Sequence, residues 1–198
     1  MTYVDWKRLR CFVEPTDLPG RARWSSAGGG LSFEITRGFR DVLLGHDPPG
    51  VTLSRRTANA LGELGELREH HRSQVSDGRT VLEHSAAGHL HWWTWAGTAA
   101  NRTLHTSLPA LVDPRQCLGD RVIPMRADLD TRELSAALDE TDPADLGHPP
   151  VTDAAVSGLK FSAALPPGLA QATIAARLAD QSGAASALAD DRIILHSG

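Results

Sequence analysis

The stretch HLHWWTWAG, residues 89–97, places three of the chain's five tryptophans within four residues. No other segment restricts the fold so tightly, because rings of that size need a core, a packed helix or a ligand to cover them. Side chains alternate along a strand, so Leu90, Trp92 and Thr94 face one way and His91, Trp93 and Trp95 the other. The preceding GRTVLEH reads as a partner strand, with SAAG as the turn of a hairpin. Trp92 shares a face with Leu90 and is assigned to the core. Trp93 and Trp95 share theirs with His91 and are expected either to cover a helix or to meet a bound strand of nucleic acid.

Around this hairpin the pattern switches between strand and helix. VDWKRLRCFVEP is strand-like, with Trp6, Arg8, Arg10 and Phe12 alternating against Lys7, Leu9, Cys11 and Val13 until Pro15. Pro19-Gly20 and the run Gly28 to Gly30 are turns around a short strand at Arg21 to Trp24. LSFEITRGFRDVLLG is a helix with Ser32 as N-cap and Gly45 as stop, its inward face predicted from Ile35, Phe39, Val42 and Leu43. A second helix starts near Ser54, with Ala58, Leu61, Leu64 and Leu67 as core candidates. Gly62 and Gly65 weaken it, which predicts the close approach of another backbone there. After Gly97 comes a helix capped by Thr98, with Ala100, Leu104, Leu108 and Leu111 aligned. RVIPMRAD is a strand whose Pro124 suits a sheet edge, and DTRELSAALDE a helix opened by Asp130 and Glu133. TDPADLGHPP reads as a linker, and the tail through RIIL as two or three helices, with Pro166-Pro167 at an N-terminus and Ala170, Ile174 and Leu178 inward. Two units follow: an α+β module over residues 1–142, and a linker with a small C-terminal helical subdomain over 143–198.

At 198 residues, with 41% hydrophobic and 22% charged residues, the chain is long enough to bury a core without staples. No apolar run approaches a bilayer span and MTYVDWKRLRC has no signal-peptide core, so a cytoplasmic protein with no membrane partner is expected. Cys11 and Cys117 are the only cysteines, which leaves neither a disulfide framework nor a cysteine zinc site. The net charge of −4 hides an asymmetry, since residues 1–110 carry 13 Lys+Arg against 11 Asp+Glu and residues 111–198 carry 7 against 13. Phosphate contacts are therefore expected in the first half, where Lys7, Arg8, Arg10, Arg21 and Arg23 gather beside Trp6 and Trp24.

Catalytic chemistry finds little support. A P-loop needs a lysine followed by Ser or Thr, but Lys7 precedes Arg8 and Lys160 precedes Phe161. No DEAD or DEAH box occurs, and SSAGGGLS lacks the GxGxxG order of a dinucleotide site. The spacing His89-x-His91, with His70, His71 and His84, invites a metal reading, yet no HExxH or diagnostic acidic partner accompanies it. No Gly-x-Ser-x-Gly elbow is present. The chain is expected to carry no catalytic residue, metal or cofactor, and not to be an enzyme on its own.

Three blocks in order, VDWKRLRCFVEPTDLPGRARWSSAGGGLSFEITRGFRDVLLG, WWTWAGTAANRTL and GLKFSAALPPGLAQATIAARLAD, carry a resemblance that covers most of the chain. They resemble the C-terminal region of large-helicase-related (Lhr-type) superfamily 2 DEAD/DEAH helicases. The first block, with its VEP…PG…RW pattern, is the most specific; AGTAANRTL is similar to the family's small-residue strand-to-helix turn. The resemblance implies a small antiparallel, barrel-like sheet packed with helices, lying on the path of the translocated single strand. The family's ATPase motifs and winged helix are absent from this sequence, so helicase activity would belong to a larger assembly. A strand so close to Met1 also leads us to expect a truncation.

The function expected is thus an accessory module that binds single-stranded nucleic acid, with DNA favoured over RNA. Its binding residues are predicted as Trp6, Arg8, Arg10, Arg21, Arg23, Trp24, Trp93, Trp95 and Arg102, because single-strand binders pair backbone-tracking cations with aromatic faces. The alternative is a structural or protein-interaction domain that docks on a helicase ATPase core on another chain through its acidic half. A small metal-dependent hydrolase using the histidines is a third reading.

Overall fold

The structure, a computed structural model, describes residues 3–5, 10–12, 30–46, 49–160 and 164–196. Near the N-terminus β1 (Tyr3–Asp5) and β2 (Arg10–Phe12) form an antiparallel ladder with Tyr3 opposite Phe12. The central sheet comprises β3 (Arg79–His84), β4 (Leu90–Trp93), β5 (Val122–Met125) and β6 (Asp191–His196) in the order β5-β4-β3-β6. The hairpin of β3 and β4 pairs Leu82 with Trp92 and Val81 with Trp93. Its turn closes through Ser85 and His89, with Gly88 at φ 78. Pro124 lies in β5, an edge strand, where a missing backbone donor is tolerated.

The helices are α1 (Phe33–Leu44), α2 (Arg55–Gly62), α3 (Gly65–His70), α4 (Gly97–Ser107), α5 (Thr131–Asp139), α6 (Asp153–Ser157), α7 (Pro167–Leu178) and α8 (Gln181–Ala189). The chain is α+β, a small sheet packed with helices. On one face of the sheet Leu82, Trp92 and Ile123 meet Leu104 of α4, Leu138 of α5 and Ala187 of α8 in a single core. Ala184 and Ala187 are fully buried, and their small side chains let α8 approach α4 closely.

The sheet is open rather than closed into a barrel, and mixed rather than antiparallel, because β6 runs parallel to β3 from Arg79 opposite Asp191 to His84 opposite His196. The segment that forms β6 was assigned by sequence to the helical tail. Ile193, Ile194 and Leu195 make a short continuous apolar run, half-buried on both faces, and pairing with β3 takes up the backbone groups on one side of the strand. The sheet thus draws strands from both sides of residue 142.

Local signals at the helix ends are realised. Ser32 caps α1 by accepting from Ile35 N, Gly45 ends it at φ 89, Ser54 caps α2 and Asp130 caps α5. The faces these helices bury are another matter. In α1 the buried residues are Thr36, Arg40 and Leu43, while Ile35 is 60% exposed and Phe39 37% exposed, which reverses the inward face predicted for Ile35 and Phe39. The rotation of α1 is fixed at its N-terminus, where Thr98 N donates to Leu31 O, and on its flank, where Arg37 Nη1 stands 2.6 Å from Asp190 Oδ2. That contact is an ion pair by distance without hydrogen-bond alignment, since Asp190 Oδ2 has no hydrogen-bond partner. Arg40 is 7% exposed, and its Nε and Nη1 also lack hydrogen-bond partners. Desolvation, reinforced by the charge of Arg37, pulls the Arg40 guanidinium below its ordinary basicity.

In α2 no residue is buried: Ala58 is exposed and Leu61 is half-buried, as is Leu64 just beyond the helix. The side chain of Leu67 lies outside the described residues. The close backbone approach predicted at Gly62 and Gly65 is not there, because a Cβ on either would meet nothing within 4 Å. The glycine that does permit a close approach is Gly97, at φ 81, where a Cβ would sit 2.6 Å from both Leu31 O and Ser32 C.

These glycines give two opposite expectations for urea unfolding. Gly97→Ala combines left-handed strain with a backbone collision and lowers stability by about 2–4 kcal/mol. Gly62→Ala replaces a helical glycine in open space and raises stability by up to about 1 kcal/mol; a loss at this position would reveal a contact absent from the fold described.

Candidate nucleic-acid interface

The three clustered tryptophans have three different fates. Trp92 is fully buried, and its Nε1 donates to Thr80 Oγ1 at 3.1 Å, so the largest core ring has its polar atom satisfied. Trp93 points from the opposite face of the sheet and is half-buried. Its Nε1 donates to Glu83 Oε2 at 2.7 Å, and Ser73 Oγ donates to Glu83 Oε1 at 3.3 Å. Glu83, only 8% exposed, is thus a fixed anchor under the polar edge of the indole.

Trp95 leaves the alternation altogether. Its φ is 52, so the backbone turns out of the strand, and its ring is 1% exposed. Trp95 Nε1 donates to Gln74 O at 2.7 Å, Phe39 lies at 6.0 Å between centroids, His71 meets the ring edge-on, and the Arg121 guanidinium stands 5.5 Å above it. The prediction of Trp95 as a nucleic-acid contact is therefore corrected: every side of its ring is occupied by protein. Period-two reasoning fails here because the pairing of β4 with β3 and β5 stops at Trp93, two residues before.

The same turn accounts for the block AGTAANRTL. Asn101, fully buried on α4, donates from Nδ2 to Gly119 O at 2.9 Å and Asp120 O at 3.1 Å, and its Oδ1 accepts from Thr94 Oγ1 at 2.6 Å. Ala96 N donates to Thr94 Oγ1, Gly97 N to Asp120 O and Trp95 N to Arg121 O, so the backbone polar groups of the turn are taken up by the loop before β5. Thr98, predicted as the cap of α4, is hydrogen-bonded to Asp120 instead, and α4 has no side-chain cap. Thr94 and Asn101 were missed from sequence, because a polar residue that works across the fold leaves no local periodic signal.

On the face of the sheet opposite Trp92, His89, His91 and Trp93 form a row. Centroids of His89 and His91 are 6.0 Å apart with planes at 43°, and those of His91 and Trp93 are 5.9 Å apart at 53°. Burial lowers the pKa of His91, Glu83 opposes that shift, and His89 adds to it. Burial therefore disfavours the charged form of His91. Asp113, close enough to His89 to respond to its charge, is lowered mainly by accepting from the Arg115 backbone and the Gln116 side chain. Among the described residues no group of three or more His, Cys, Asp or Glu side chains is placed to hold a metal ion.

Of the other predicted contacts, Trp6, Arg8, Arg21, Arg23 and Trp24 lie outside the described residues. Arg10 is in β2 opposite Asp5, and its side chain is likewise outside them. Arg102 is half-buried on α4, the helix that covers the Trp92 face of the sheet, and so is not gathered with Trp93. Among the described residues no helix is long and apolar enough to cross a membrane. The chain matches no family model, no curated protein and no solved structure.

The electrostatics of the row predict acid sensitivity. The native pKa of His91 lies below the ordinary 6.5, and burial lowers that of His105 as well. The unfolded chain therefore binds more protons as the pH falls below that ordinary value, and stability present above it is progressively lost. Urea midpoints at about pH 7.5 and about pH 5.5 are expected to differ less in His91→Gln and His105→Gln than in the parent. An unchanged pH difference in both variants would show that neither histidine contributes.

Proposed function

We propose that the chain is an accessory nucleic-acid-binding module of an Lhr-type DEAD/DEAH ATP-dependent helicase, contacting the translocated single strand and carrying no ATPase motif of its own. The resemblance of its three sequence blocks supplies the family. The observation that carries the binding role is Trp93, whose indole N–H is taken by Glu83 and whose side chain is half-buried on the face of the sheet opposite Trp92. A ring immobilised in advance loses little side-chain entropy when a base stacks on it. The cations that would track the backbone are those of the N-terminal block, Arg8, Arg10, Arg21 and Arg23, which favours DNA or RNA strands over uncharged ligands.

A second reading, docking on a helicase ATPase core supplied by another chain, is favoured by the outer side of α1. There Leu31, Ile35 and Phe39 are 40%, 60% and 37% exposed at helical spacing. This apolar stripe, rather than the acidic half, is the better candidate contact.

Fluorescence anisotropy with labelled single-stranded DNA distinguishes the two. Saturable binding is expected, with log affinity falling linearly against log salt, and neutralising each contacting arginine lowers that slope by about 0.7. Absence of binding at low salt, together with co-purification with an ATPase core that Ile35→Glu abolishes, would favour the docking reading instead.

A further inference from the structure

Trp93 does not stand alone on its face of the sheet. His89, His91 and Trp93 occupy alternate positions, and their ring centroids step by 6.0 and 5.9 Å, each plane tilted against the next. That step is well over the rise of about 3.4 Å per base along a duplex strand, so the row does not match stacked bases. It matches the spacing of bases drawn apart along an extended single strand.

The chemistry beneath the rings favours bases over phosphates. The carboxylate of Glu83 is buried under Trp93 and taken up by Trp93 Nε1 and Ser73 Oγ. Asp113 lies near His89. Across the strands, His91 faces Pro124 and Glu83, and Trp93 faces Val122 and Val81, so those neighbours bring apolar surface, one carboxylate and no cation. A phosphate finds no positive partner in these pairs, whereas a neutral π-face does not need one.

We infer that His89, His91 and Trp93 form a stacking strip for three successive unpaired nucleobases of a single-stranded nucleic acid. The inference rests on the proposed role as a nucleic-acid-binding module and adds the division of labour: the strip holds bases, and cations elsewhere hold the backbone.

The test compares two labelled oligonucleotides of equal length, oligo-dT and its abasic counterpart, which carry the same phosphates. The full-length chain is expected to bind oligo-dT at least about tenfold more tightly than the abasic strand, with tryptophan quenching only by the former. His89→Ala and His91→Ala are expected to shrink that preference and leave abasic binding unchanged. Trp93→Phe, which keeps a ring, is expected to retain part of the preference and to lose the quenching. Thermal unfolding of each variant checks that the fold is intact. Equal affinity of the parent chain for both strands, or a preference untouched in the two histidine variants, overturns the strip while leaving the module standing. Binding to neither strand at low salt overturns the module and the strip with it.

Discussion

One buried amide fixes how α4 meets the end of β4 and the loop before β5. Asn101 uses both Nδ2 hydrogens and its Oδ1, tying α4 to the carbonyls of Gly119 and Asp120 and to the hydroxyl of Thr94 at the end of β4. A buried amide left unpaired would cost about 1–3 kcal/mol for each polar group exposed to the apolar interior, so the three elements must arrive together. Gly97 is the geometric half of the same constraint. Its φ of 81 and its missing Cβ let the turn lie against the backbone of Leu31 to Phe33, and the entry of α1 is thereby pinned beside α4.

The orientation of α1 follows, and it runs against its own hydrophobic pattern. With its first residues held at Gly97 and Thr98, the helix turns Thr36, Arg37 and Arg40 toward the protein and leaves Ile35 outside, with Phe39 part-exposed beside Trp95. Burying guanidinium groups is costly unless carboxylates or hydrogen bonds compensate. Arg37 reaches Asp190, and Arg192 pairs with Asp139 while donating to Leu188 O at 2.9 Å, so acidic residues around the α8-β6 corner offset part of that charge. The acidic character of the second half thus has a structural use inside the fold, in addition to whatever it presents to solvent.

The tryptophan cluster shows how one short segment divides its labour. Trp92 fills the core, Trp95 plugs the gap between α1 and the turn at Gln74, and Trp93 lies half-buried on the opposite face of the sheet, its N–H held by Glu83. Two rings are fully enclosed by the scaffold and the third is half-buried. A ring on a strand between two paired neighbours is more rigidly placed than one on a loop.

What the sequence determined alone is local. Ser32, Ser54, Asp130 and Gly45 mark helix ends because caps satisfy backbone groups within a few residues, and Pro124 marks an edge strand because it lacks a donor. The GRTVLEH and HLHWW hairpin, the α+β class and the burial of Trp92 belong here too, since alternation next to Leu90 suffices to assign them. Of the candidate interface, Trp93 and the pairing of His89 with His91 were legible from the same alternation. Tertiary structure decided the rest. The inward side of α1, the open surroundings of Gly62 and Gly65, the strand made by Ile193 to Leu195 and the plugging of Trp95 all depend on partners far along the chain. Periodicity reports how apolar a face is, but it cannot report which face a distant hydrogen bond or a single left-handed glycine will turn inward.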